Sequence, residues 1–275
     1  MTRTRFSFAA VFVALLALSG TRGALADAAA DKAAEEAAKA EAKALAERLG
    51  DKERTVREEA LEAAKANQHA LVTAAVVKRL GDEYFELRET AIEILAAREA
   101  EACKRAAALG LGARLAKLPG SDRQEERLLV IDGLRRLAQV STLKALADAI
   151  DIKMDAEELG ARTMAIANVP DAKAIELLID LRSRAGRHAA NGANHSATLL
   201  RKALTSAIGQ DLGGDTDAWR IWWKDHKKDF DFEAAAERRR AAEEKADKRE
   251  AQREERKEKR KKKRDGEGDG GSSSD

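Results

Sequence analysis

Residues 45–64 read LAERLGDKERTVREEALEAA, and residues 76–95 read VVKRLGDEYFELRETAIEIL. At an offset of 31, Leu49-Gly50-Asp51 falls on Leu80-Gly81-Asp82, and Val56-Arg57-Glu58 falls on Leu87-Arg88-Glu89. A period of this length, with helical spacing on both sides of a Gly-Asp turn, indicates stacked helical hairpins that bury their apolar faces against neighbours. Such arrays serve mostly as binding surfaces, so the pattern argues strongly for architecture and says little about a partner.

Working outward, Val56, Ala60, Leu61 and Ala64 keep the spacing of one helix face. Leu71, Val72, Ala75, Val76 and Leu80 do so for the next helix, and Phe85, Leu87, Ala91, Ile92 and Leu95 for the one after. Gly110-Leu111-Gly112 predicts a break between helices, followed by Pro119-Gly120. Ser121 to Gln124 fits a capping box, opening a helix that carries Leu128, Leu129, Ile131, Leu134 and Leu137. Residues 142–150 and 157–169 predict a further pair, and Pro170-Asp171 starts a helix bearing Ile175, Leu178 and Leu181. Residues 184–195 read as a loop containing His188 and His195, with one more helix over 196–208. The repeats thus span residues 45–208, preceded by an Ala/Glu/Lys-rich helical lead-in over 27–44.

Composition supports helix nearly everywhere. Charged residues make up 36% and aromatics 4%, there are two prolines, and Ala and Leu supply most of the apolar content. The single cysteine, Cys103, permits no disulfide within the chain and reads as a small buried filler. At the start, Arg3 and Arg5 precede an apolar run over residues 6–18, and Ala24-Leu25-Ala26 has the small-x-small form of a cleavage site. That run is shorter than the roughly 20 residues needed to cross a bilayer. It predicts a signal peptide over residues 1–26 and an exported, periplasmic or extracellular protein; the alternative is a retained anchor.

The pattern D-x4-[V/L]-R-x2-A occurs as Asp51…Val56-Arg57…Ala60 and as Asp82…Leu87-Arg88…Ala91. It resembles the HEAT and HEAT-like repeats over roughly residues 40–185. The resemblance implies an all-α superhelical solenoid in which Asp51, Arg57, Asp82 and Arg88 form a ladder bridging neighbouring repeats. The later turns depart from it, because Asp122 is followed by Arg127-Leu128 and Asp155 by Ala161-Arg162. Residues 209–232 pair Gly209-Gln210-Asp211-Leu212-Gly213 with Trp219-x-x-Trp222-Trp223. This is similar to a short closing module found after HEAT-like repeats in some exported bacterial proteins.

Trp219 and Trp223 share a helix face at i, i+4, with Trp222 beside Trp219 at i+3. They predict an aromatic cap on the end of the array; the alternative is a platform for a sugar or peptide. His188 and His195 lack the companions of a metal site and read as loop histidines. No G-x-S-x-G, glycine-rich phosphate loop or singled-out carboxylate pair supports catalysis. No cofactor is expected, and an accessory lyase or other enzyme is the third reading.

Residues 233–264 hold 15 Lys or Arg and 9 Asp or Glu, with no apolar stripe. They read either as a solvated charged helix or as a disordered tail, followed by a Gly/Ser/acidic tip over 265–275. Lys257, Lys259, Arg260, Lys261, Lys262, Lys263 and Arg264 form a basic end able to contact an anionic polymer or membrane surface. With no aromatics among them, sequence-specific nucleic-acid reading is not expected. The sequence therefore predicts a non-enzymatic scaffold for a protein partner, with anionic attachment through the tail as the alternative.

Overall fold

A computed structural model describes residues 32–118, 123–148, 150, 154–188 and 194–267. The predicted signal peptide and Ser121 lie outside these residues, as do 189–193 and the last eight positions. Among the described residues the chain is all helical, with no strand. Residues 32–49 form α1. Then come α2 (Arg54–Ala66), α3 (Ala70–Arg79), α4 (Phe85–Ala96), α5 (Glu101–Ala116) and α6 (Gln124–Leu137). A 3-10 turn (Val140–Thr142) leads into the short α7 (Leu143–Ala147). The chain finishes with α8 (Ala156–Asn168), α9 (Ala172–His188), α10 (Asn194–Ile208), α11 (Thr216–His226) and α12 (Phe232–Glu267).

The starts of α3, α8 and α11 carry polar side chains that accept otherwise unpaired backbone N–H groups, whereas α2, α4 and α6 begin without such a cap. Asp155 accepts from Glu157 N and Glu158 N at 2.9 and 3.3 Å, and Asp215 accepts from Asp217 N at 2.9 Å. His69 does the same for α3, its Nδ1 accepting from Leu71 N at 3.1 Å. Asp51 and Asp82, in the two repeated turns, accept from Glu53 N and Tyr84 N.

The chain divides into two compact units, residues 1–107 and 108–275, with the division inside α5. In the first, α2 packs on α3 and α4, and α3 on α4. Its core holds Leu45, Leu49, Leu61, Val72, Val76, Leu87, Ile92 and Leu95. The periodic residues of the sequence are those that face inward here, apart from Leu71, which is exposed, and Val56 and Phe85, which are half-buried. In the second unit α8 is the hub, touching α6, α7, α9 and α10; α9 also meets α10 and α11, and α10 meets α12. Leu134, Leu146, Leu159, Ile166, Leu178, Leu204 and Trp219 fill this core. In both units a helix packs on the helix two places further along, as α2 on α4, α6 on α8 and α8 on α10.

Three expectations need correction. Gly110-Leu111-Gly112 does not break a helix, because α5 runs through it to Ala116. A Cβ at Gly112 would stand 3.0 Å from the Ala145 Cβ, so this glycine is needed for close helix approach rather than for a turn. Residues 184–188, read as the start of a loop, complete α9, and α10 begins at Asn194. The predicted helix over residues 142–150 is reduced to a 3-10 turn and the five residues of α7. The charged tail, for which helix and disorder were both open, is helical to Glu267.

Candidate interaction surfaces and the ties beneath them

The repeated turns position the first set of ties. Arg57 on α2 is buried, and its guanidinium meets the Asp82 carboxylate through Nε at 2.9 Å and Nη2 at 3.1 Å. Its Nη1 donates to the carbonyls of Asp51 and Lys52 at 3.1 and 2.7 Å. Burial works against the charge on Arg57, but the hydrogen bond and charge of Asp82, with Glu83 behind it, raise its pKa above the ordinary arginine value. Arg79 also reaches Asp82, at 3.3 Å, so one buried carboxylate serves two guanidiniums. Arg88 repeats the backbone half of this pattern, donating to the carbonyls of Asp82 and Glu83. Asp51 enters the arrangement through its backbone carbonyl, while its exposed side chain caps its own turn.

A second set of ties was not read from the sequence. Arg127 on α6 donates to Glu158 on α8 at 2.9 Å, and Arg162 reaches the same carboxylate from one turn away. Arg162 Nη1 also donates to the carbonyls of Ala145, Leu146 and Asp148, where α7 ends. Arg114 on α5 clasps Glu126 at the start of α6. In sequence these residues look like any of the 51 basic and 49 acidic residues in the chain. The one available signal was the spacing of Arg127 and Glu158, 31 residues, the same as the period of the first two turns.

Other buried polar groups fasten to carbonyls near helix ends, where backbone acceptors are left over. Arg98, 2% exposed, donates to Asn67 O and Ala64 O, 31 and 34 residues earlier. The half-buried Asn168 donates to Arg135 O across 33 residues, and the buried Arg239 to Ala207 O across 32. Burial lowers the pKa of Arg98, with a small opposing pull from Cys103. Cys103 is itself buried, its Sγ donating to Gln68 O.

The GQDLG–WxxWW segment is built around one loop. Gly209 and Gly213 adopt φ of 87° and 83°, a region open to glycine and costly for other residues. The Gly213 carbonyl accepts from Trp219 Nε1 at 3.1 Å and from Arg182 Nη2 at 3.3 Å; Arg182 also donates to Gly214 O and Ala197 O. Burial, followed by the charge of Arg201, lowers the pKa of Arg182. Asp211 accepts two hydrogen bonds from Arg201 and one from Gly213 N, which hold its pKa down at about 2.

Trp219 and Trp223 are buried, whereas Trp222 is half-buried and stacks on His226 with ring centroids 4.3 Å apart. Trp223 packs edge-on against Phe230 at 5.4 Å and Phe232 at 6.3 Å, joining α11 to the start of α12. Beside it lies an open hollow of about 180 Å³ between α9 and α11, lined by Glu176, Ile179, Asp180, Arg220, Trp223, Lys224 and Lys227. His195 is exposed at the start of α10, and His188 is the last residue of α9. Among the described residues no group of three His, Cys, Asp or Glu converges as a metal site, and no helix is long and apolar enough to cross a membrane.

The basic tail residues lie on α12. Lys257 and Lys259 are exposed and pair with Glu254 and Glu255 at 2.6 and 2.5 Å. Arg260, Lys261, Lys262, Lys263 and Arg264 continue the same helix.

Comparison with known protein families and with curated proteins returned no match for this chain. Among the described residues the geometry defines an all-helical protein whose buried polar groups tie neighbouring helices together within each unit.

Proposed function

We propose that the chain is an exported protein of the HEAT-like helical-repeat class, whose hairpins stack into a solenoid that presents a docking surface to another protein. One observation carries the reading. Arg98–Asn67, Gln124–Asp155, Arg127–Glu158, Asn168–Arg135, Arg182–Gly214 and Arg239–Ala207 join residues 31 to 33 positions apart. Fastening at a near-constant sequence distance is what a stack of similar hairpins requires, and it continues where the sequence repeat has faded. These ties, most of them buried or half-buried, fasten the body, leaving recognition to its outer face. In this reading the Trp219–Trp223 pair closes the last hairpin, as a terminal repeat must.

Exposed apolar side chains, Leu71 in the first unit and Leu109 and Ile221 in the second, serve as reporters. A photo-crosslinking residue placed singly at these positions in the full chain should capture one specific protein from an envelope or secreted fraction. Capture should survive neutralisation of Lys257, Lys259, Lys261 and Lys263. Capture that requires those lysines, or that never exceeds a scrambled-surface control, contradicts the scaffold reading. Export is tested separately: the secreted form should begin at Asp27, and retention of Met1 on a cytoplasmic protein contradicts it.

A further inference from the structure

α12 changes character along its length. Its start is anchored: Ala235 and Arg239 are buried, and Arg239 Nη1 donates to Ala207 O at 3.0 Å. From Arg240 to Lys259 every side chain whose burial is described is exposed. The helix nevertheless runs on to Glu267, so 28 residues, roughly 40 Å at 1.5 Å per residue, lie beyond Arg239, the last side chain described as buried.

Residues 240–255 suit a helix that must support itself. They carry five basic and six acidic residues, and Glu244 with Lys248 and Glu255 with Lys259 form i, i+4 pairs with the acid on the N-terminal side, the favourable order. Residues 256–264 do not suit it. Eight of the nine are basic, and Glu258 is the exception. Lys257 and Lys259 pair back to Glu254 and Glu255, and Glu258 precedes Lys262 at i, i+4. The sequence also puts 256 and 260, 257 and 261, 259 and 263, and 260 and 264 at that spacing with like charge, which weakens a solvated helix. Asp265 and Glu267 follow Lys261 and Lys263 in the less favourable order. The attraction of a helix C-terminus for cations acts within the last turn, and this run covers more than two turns. A plain spacer gains nothing from such a segment, whereas a bound anion would relieve its repulsion.

We propose that α12 beyond Arg239 is a self-supporting arm whose cationic end, residues 256–264, binds a flexible linear polyanion. The shape of the charge selects the ligand. At 100° per residue the basic positions of 256–264 spread around the whole circumference, so a flat anionic bilayer would meet only some of them while a flexible chain can wrap them all. From Gln252 to Glu267 there is no apolar side chain to enter a membrane and no aromatic to stack on a base. The ligand class is therefore a chain of phosphate, sulfate or carboxylate groups recognised by charge.

The test uses the full-length protein with inorganic polyphosphate as probe, and phosphatidylserine vesicles at matched anionic charge as comparison. A tip variant carries Lys257, Lys259, Lys261 and Lys263→Gln; a shaft variant carries Arg240, Lys245, Lys248 and Arg249→Gln. Each loses four positive charges. Polyphosphate should bind the wild type with an affinity that falls steeply with salt, should bind the tip variant about tenfold or more weakly at low salt, and should bind the shaft variant within about twofold of wild type. It should also raise the far-UV helix signal of the wild type and not of the tip variant, a change that general charge attraction would not produce. Equal losses in the two variants, no binding at low salt, or vesicle binding as tight as polyphosphate binding would each overturn the proposal.

Discussion

The two units tie their helices together with the same device built from different residues. In each, one buried carboxylate serves two arginines, Asp82 with Arg57 and Arg79, and Glu158 with Arg127 and Arg162. In each, one of those arginines also holds backbone carbonyls, Arg57 at Asp51 and Lys52, and Arg162 at Ala145, Leu146 and Asp148. The difference lies in how the work is divided. Asp82 sits in a turn and does two things, accepting from Tyr84 N and bridging the arginines. In the second unit Asp155 caps α8 while Glu158, one turn into that helix, makes the bridge. A longer side chain on a helix reaches as far as a shorter one on a turn, so the fastening persists while its sequence signature disappears.

That division yields the largest expected effect. Glu158→Ala would leave Arg127 and Arg162 buried without their carboxylate, and should cost about 3–5 kcal/mol in urea unfolding. Leu95, fully buried in the first unit, should cost about 2–5 kcal/mol on change to Ala, through lost transfer energy and the cavity left behind. Asp155→Ala removes a cap and one exposed hydrogen bond from Gln124, and should cost about 0.5–2 kcal/mol. An Asp155 variant more damaging than the Glu158 variant would return the bridging role to the turn aspartate and break the comparison.

The smallest effect belongs to the closing loop, where Asp211 and Arg201 pair at 2.7 and 2.5 Å on an exposed surface. The carboxyl pKa is held at about 2, below its unfolded value near 4. The pair's contribution is therefore fully present above pH 4 and is lost as pH falls through 2. Asp211→Asn should flatten that part of the stability profile. An unchanged acid limb would show that the pair adds nothing in solution.

Much of the architecture was legible because helix periodicity and turn chemistry are local. Leu61, Val76, Leu80, Leu87 and Leu95 could be placed on inward faces by spacing alone, and all are buried. The i, i+4 relation likewise put Trp219 and Trp223 on one face, and both are buried while Trp222 is not. What escaped depends on neighbours distant in sequence. Gly112 reads as a helix breaker until Ala145 is seen against it. Glu126 and Glu158 read as surface acids until arginines from other helices close on them. In a chain with 36% charged residues, composition hides the few charges that are buried.

The central claim is that helices in the second unit are fastened as those in the first are. A double-mutant cycle on Arg127 and Glu158, read by urea unfolding and set beside one on Arg57 and Asp82, tests it most directly. Coupling of about 1–3 kcal/mol in both cycles is the predicted result. Strong coupling for Arg57–Asp82 with additive behaviour for Arg127–Glu158 would contradict the claim, leaving the second unit without the fastening assigned to it.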